Sequence, residues 1–316
     1  MNQPKVPNYD ELPRVGDTED RHAWDVWGRS DSLGSVNRLT PERVLAATST
    51  IRQGKIINLD LPLNQPFPGL RPPYKYGVKI SPISRDDYLD AFWLQGSSQI
   101  DGLGHVKLRD VGYWGGRGED AVDAGEIGID HWAEHGIVGR GVLIDVVRHA
   151  AAAGLTDYDP NTRVGVDGPM MEAIAAAEGV SLDGTDFILL HTGWLGQFVG
   201  GTEDNRHAIL AEFPNRGVHM AGLDGKRKTM AWLWDHHIVG ALADHISLEV
   251  LPVSREDGFQ HRRLIPLMGM IIGEFINIGP LAEDCANDGQ YEFMVTLNAL
   301  NVPGAVGSPS NCYVIK

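Results

Sequence analysis

Two short apolar runs constrain the fold of this 316-residue chain more than any other feature. Gly141-Val142-Leu143-Ile144-Asp145-Val146-Val147 and Asp186-Phe187-Ile188-Leu189-Leu190-His191-Thr192-Gly193 are apolar almost throughout, without alternation. Strands buried on both faces read this way, because each face meets a covering layer. Between them, Asp167-Gly168-Pro169 to Glu178 reads as a helix, with Pro near its start and Gly179 at its end. Residues 238–243 and 270–278 suggest further strands. Thr40-Pro41-Glu42-Arg43 predicts a helix start, with Thr as N-cap, Pro in the first turn and Glu beside it, stopping before Gly54. A strand is expected over residues 56–61. The four prolines of residues 64–76 predict an irregular loop. Strands alternating with helices place the chain in the α/β class.

The length suits one large domain, assigned to residues 21–316. Residues 1–20 are polar and Pro-rich and are expected to run extended over the surface. A core of this size does not depend on a disulfide or a structural metal, so a bound metal would serve chemistry. The net charge of -15 disfavours nucleic acid and anionic membranes as partners, leaving a small-molecule substrate. Cys285 and Cys312 form no disulfide framework and read as buried thiols in a reducing cytosol. No signal-peptide h-region and no spanning apolar run are seen, so a cytoplasmic location is expected.

Chemistry concentrates in Gln95-Gly96-Ser97-Ser98-Gln99-Ile100-Asp101-Gly102-Leu103-Gly104-His105. In an extended segment Gln99 and Asp101 share a face. Gly102-Leu103-Gly104 can turn sharply, since glycine tolerates positive φ, and so bring His105 back to Asp101. A carboxylate and an imidazole would then converge as for a divalent metal. The competing reading is an Asp that accepts turn N–H groups beside an exposed His. Glu274 is a charge inside an apolar run, which must be paired with a cation, an Arg or a metal.

The segment resembles the H-x-G-T-H-x-D-x-x-x-H motif of the cyclase family of metal-dependent hydrolases, which includes kynurenine formamidase and isatin hydrolase. Gln95 and Gln99 stand at its first two His positions, Ser97-Ser98 at Gly-Thr, Asp101 at Asp and His105 at the last His. The resulting Q-x-x-x-Q-x-D-x-x-x-H variant is similar to that of trans-dienelactone hydrolase, a related lactone hydrolase. Residues 31–42, 136–145 and 187–194 resemble other family segments. The resemblance implies a second metal-binding region of His followed about a dozen residues later by Glu, matched by His261 and Glu274.

The resemblance thus implies the family's swivelling β/β/α fold and a metal site of Asp101, His105, His261 and Glu274, with Gln99 as a further ligand. Zinc or manganese is implied; glutamine is a weaker zinc ligand than imidazole, so one tight ion is expected. Metal-activated water would open a small lactone or cyclic ester, with an aryl formamide or cyclic amide as the alternative. His261 could serve as the base instead of a ligand, and Gln95 would bind substrate or orient a ligand. Phe92 and Trp93 would line a pocket for a ring. A homodimer or homotetramer is implied. Two other classes stay open: a metal-free binding protein and a polyketide-type cyclase or dehydratase.

Other clusters read as structural. Asp235-His236-His237 diverge on a strand or a helix. His131 and His135 lack the Glu placement of a metalloprotease helix. His245, in a segment where the family usually carries Asp, is assigned a structural role. Ser97 and Ser98 lack the G-x-S-x-G elbow of a serine hydrolase. The glycines around Gly115 do not form a nucleotide-binding fingerprint. Trp114 and Trp194 read as core.

Overall fold

The structure is a computed structural model that describes residues 5–213 and 217–316. In chain order the strands are β1 (Ile56–Asn58), β2 (Lys75–Ile80), β3 (Arg85–Asp90), β4 (Gln99–Asp101), β5 (Ile137–Asp145), β6 (Gly165–Val166), β7 (Phe187–His191), β8 (Gly222–Leu223), β9 (Gly240–Ala243), β10 (Ile271–Glu274), β11 (Glu292–Leu297), β12 (Gly307–Pro309) and β13 (Tyr313–Ile315). Nine of them form one sheet in the order β1-β13-β11-β5-β7-β9-β10-β4-β12. β5, β7, β9 and β10 are mutually parallel, and their flanking neighbours run antiparallel. The fold is therefore a mixed α/β single domain, the class expected from the sequence.

The two apolar runs are the central strands β5 and β7, paired from Gly141↔Phe187 to Asp145↔His191. Every β7 side chain is buried except His191, which is half-buried at the carboxyl end. The predicted helices lie at Pro41–Thr48, capped by the Thr40 side chain as the sequence suggested, and at Gly168–Ala177, capped by the side chain of Asp167. Both strands end sooner than the apolar runs do. Asp145 terminates β5 because its carboxylate caps the next helix through Arg148 N.

One expectation needs correction. The N-terminal segment does not simply run over the surface: Tyr9, Leu12 and Val15 are buried in the main core. Tyr9 N also donates to Asp235 at 2.6 Å, which pins the segment to the body. Residues 1–4 of that segment lie outside the described residues. The loop expected over residues 64–76 is irregular as far as Tyr74 and then enters a hairpin, β2–β3, that pairs with no other strand among the described residues. Cys285 and Cys312 are buried free thiols. Among the described residues no helix is long and apolar enough to cross a membrane.

Candidate metal centre

Strand register builds the site. β10 and β4 are antiparallel, with Glu274 opposite Gln99 and Ile272 opposite Asp101. Directly opposed side chains lie on one face of a sheet, and residues two apart share that face. Glu274, Gln99 and Asp101 therefore converge. The Gln99 amide nitrogen donates to Glu274 at 2.5 Å. All three are buried.

His261 opens the helix His261–Met268 and completes the group. Its Nε2 lies 3.0 Å from Glu274 Oε1 and 3.5 Å from Asp101 Oδ2. Its Nδ1 lies 2.6 and 2.9 Å from the two oxygens of Glu249, which is fully buried. Burial would lower the His261 pKa, but Glu249, Asp101 and Glu274 outweigh it and hold it well above its ordinary value. Burial also pushes the Glu274 carboxyl up to about 7, with His261 pulling the other way. Three buried carboxylates thus surround one imidazole, an arrangement that calls for more positive charge.

His105 returns to Asp101 as the turn predicted, with Nε2 3.5 Å from Asp101 Oδ1. Its Nδ1 lies 3.4 Å from the Gln95 amide nitrogen. The physical reason for the two glycines differs from the expectation, because neither has a positive φ. They are needed for close approach: a Cβ on Gly102 would meet Val306 O at 3.0 Å, and one on Gly104 would meet Val306 Cγ1 at 2.9 Å. Burial lowers the His105 pKa despite Asp101, so the ring is neutral near pH 7. It is also the most open member of the group, with 23% of its side chain exposed.

The donor set fits a divalent cation. Single ligand atoms of Asp101, His261 and Glu274 all lie within 4.8 Å of one another. Both oxygens of Asp101, and the amide oxygen of Gln99, are buried without a hydrogen-bond partner. Buried oxygens of this kind are rarely left unpaired, and three side by side on one face present a ready acceptor set for an ion. His105 touches the set through Asp101 only. Glu249, which the sequence reading missed, is the outer carboxylate that engages His261 Nδ1 and leaves Nε2 facing the acidic pair.

The family model described as "Putative cyclase" matches residues 40–250, two thirds of the chain. A solved structure titled as a novel cyclase is 30% identical, covers 93% of this chain and 99% of its own, and superposes with a TM-score of 0.78. This chain belongs to the cyclase family. Isatin hydrolase A from Labrenzia aggregata shares the fold at 14% identity, covering 86% of this chain and 97% of its own with a TM-score of 0.56. The isatin hydrolase A of Ralstonia solanacearum is similar, at 16% identity, 87% and 97% coverage and a TM-score of 0.55. No curated protein matches the chain.

In this cyclase-family chain a cavity of about 240 Å³ opens beside the site. Phe92 and Trp93 line it with Tyr74, Arg71 and Gly96. Gln99, Asp101, His261 and Glu274 do not line it. Arg71 links the two regions: it lines the cavity, and its charge contributes to lowering the His105 pKa. Among the described residues Arg71 forms no ion pair; its guanidinium sits 5.8 Å from the Trp93 ring centre.

The remaining clusters serve the fold. His131 contacts Gly125 O and His135 contacts Gly136 O. His236 stacks on Trp232 at 3.9 Å. Ser97 and Ser98 donate to backbone carbonyls, of Gln65 at 2.5 Å and Phe275 at 2.6 Å, so neither hydroxyl is free as a nucleophile. Trp114 and Trp194 are core residues. His245 is fully buried, and burial pushes its pKa down to about 4.

Proposed function

We propose that this chain is a metal-dependent hydrolase that opens a small lactone or cyclic ester. The observation that carries the reading is the buried set of Asp101, His261 and Glu274, flanked by the unpaired Gln99 amide oxygen. A binding protein that had lost its metal would have little reason to keep three carboxylates around one imidazole in a dry interior. Asp101, His261 and Glu274 would hold the ion, with Gln99 and His105 beside them. When bound, a divalent ion such as zinc or manganese supplies Lewis acidity and a more acidic water. The Gln95–Gln99 variant, similar to that of trans-dienelactone hydrolase, favours the lactone over an amide.

The chain's own residues divide the remaining work. Glu249 holds His261 in one orientation, which suits a ligand better than a mobile base. His105 is neutral, faces the open side and is oriented by Gln95, so it takes the base role first considered for His261. Phe92, Trp93 and Tyr74 offer an apolar bed for a ring. Arg71 favours a substrate or product that carries negative charge near His105.

Metal content of wild type and Asp101→Asn, prepared without chelator, tests the reading. Retention of about one ion per chain in wild type, lost in the variant, is expected, together with metal-dependent hydrolysis of a lactone panel. A wild-type protein that neither retains nor takes up zinc or manganese overturns it.

We also propose that the chain works as a homo-oligomer built on the β2–β3 hairpin. Tyr76, Val78, Ile80 and Leu89 share one face of this hairpin with Asp87 and Arg85, and the four apolar side chains are exposed. An isolated two-stranded hairpin is marginal in water, so an apolar face of this kind favours a second copy as its cover.

A further inference from the structure

The parallel strands present Glu274 at their carboxyl ends; His237 and Asp186 lie at the opposite ends, just before β9 and β7. There a cavity of about 250 Å³ is lined by Val6, Arg38, Thr40, Arg43 and His237. Arg38 is 4% exposed. Its Nη1 donates to Trp234 O at 3.2 Å, but its Nε and Nη2 have no hydrogen-bond partner among the described residues. No carboxylate oxygen among them lies within ion-pair distance of this guanidinium.

The neighbouring charges are otherwise engaged. Arg43 pairs with Asp186 at 2.5 Å. Asp235 accepts from Tyr9 N. His237 is held at a φ of 61°, in the left-handed region that few non-glycine residues adopt. The guanidinium carbon of Arg38 sits 4.0 Å from the Trp234 ring centre, and cation–π attraction offsets part of its desolvation. That contact acts on the flat face of the guanidinium. It leaves the in-plane N–H groups of Nε and Nη2 unmatched, and this edge is the one that grips two oxygens of a carboxylate or phosphate. Burial and the nearby Arg43 push the Arg38 pKa down to about 9, as expected where a counter-anion is lacking.

We infer that this cavity is a second binding site, for a small oxyanion of the phosphate or carboxylate class, held by the Nε–Nη2 edge of Arg38 between Arg43 and His237. It is separate from the candidate metal centre and would act as an effector or stabilising site.

Calorimetric titration of the full chain with inorganic phosphate, and separately with acetate, tests this, with chloride holding ionic strength constant. Saturable binding of at least one of the two ions is expected in wild type and equally in Asp101→Asn; which ion binds identifies the class. Arg38→Gln should weaken it at least about tenfold, as loss of a charge-assisted pair requires. Since a buried arginine variant can fail to fold, His237→Asn, which tolerates the same backbone conformation, gives a second reading and should also weaken binding. Absence of binding by either ion beyond chloride overturns the proposal. So does binding that Asp101→Asn abolishes, which would place the ion at the metal centre, or binding that His237→Asn and a folded Arg38→Gln leave unchanged.

Discussion

Glu249 and His261 form a buried pair in which the imidazole Nδ1 contacts both carboxylate oxygens, at 2.6 and 2.9 Å. The opposite nitrogen is thereby fixed 3.0 Å from Glu274. Glu249→Gln keeps the shape and removes the charge that orients the ring. Metal affinity, measured by chelator competition, should fall about 10- to 100-fold, as for other outer carboxylates behind a ligating histidine. An unchanged affinity would show that Glu249 serves the fold alone.

The turn between Asp101 and His105 ranks two substitutions. The Cβ of Gly102→Ala meets a backbone carbonyl at 3.0 Å, which can yield only if the 305–307 segment shifts. The Cβ of Gly104→Ala meets the end of the Val306 side chain, which can rotate. Gly102→Ala should therefore cost more activity than Gly104→Ala, and kcat/KM for a hydrolysed lactone reads the order. The reverse order would mean that Val306 cannot give way.

Much of the centre was legible because buried charge is conspicuous. Glu274 stood out as a carboxylate inside an apolar run. The same argument applied to Glu249, between Leu248 and Val250, would have found it; family spacing drew attention to His261 and Glu274 instead. Asp101 and His105 were placed by a turn whose glycines proved to serve close packing with Val306, a contact more than 200 residues away in sequence that no local pattern encodes. The β2–β3 hairpin was invisible for the opposite reason. Its residues face solvent on both sides, so no burial pattern marks them. Nothing local to Arg38 signals its burial, and only the packing of Trp234 over it reveals the cavity.

Glu178 gives a pH prediction away from the metal centre. Burial raises its carboxyl pKa to about 8, although the Asp145 backbone N–H pulls the other way, and its Oε2 has no partner. The folded chain therefore holds this proton over a range in which the unfolded chain, with a pKa of about 4.3, has lost it. Stability contributed by the protonated group is present below the unfolded value and is lost as pH rises through the folded one. Thermal midpoints of wild type should fall between pH 5 and pH 8 more steeply than those of Glu178→Gln. Parallel slopes for the two proteins would assign the pH dependence elsewhere.

The hairpin offers the last test. Tyr76 pairs with Leu89 across the strands, and Val78 and Ile80 lie on the same side. The other face carries Lys75 opposite Asp90 and Lys79 opposite Asp86, with Tyr88 over Gly77. The apolar side also carries Asp87 opposite Val78 and Arg85 opposite Ile80, so charge rims its exposed apolar groups; Ile80 is 68% exposed and Ile83, at the tip, 97%. Ile80→Asp alters no contact of the main core, so a monomer should fold equally well with it. In the proposed oligomer the new carboxylate would leave water for the seam with only Arg85, across the strands, as a partner, and the weakened assembly should dissociate. Light scattering at matched concentrations separates the cases: a mass that drops to one 34.5 kDa chain only in the variant supports the hairpin as the interface. Because the hairpin adjoins Tyr74, Phe92 and Trp93, loss of assembly should also raise KM for a ring substrate. A variant that stays assembled would place the interface on another surface.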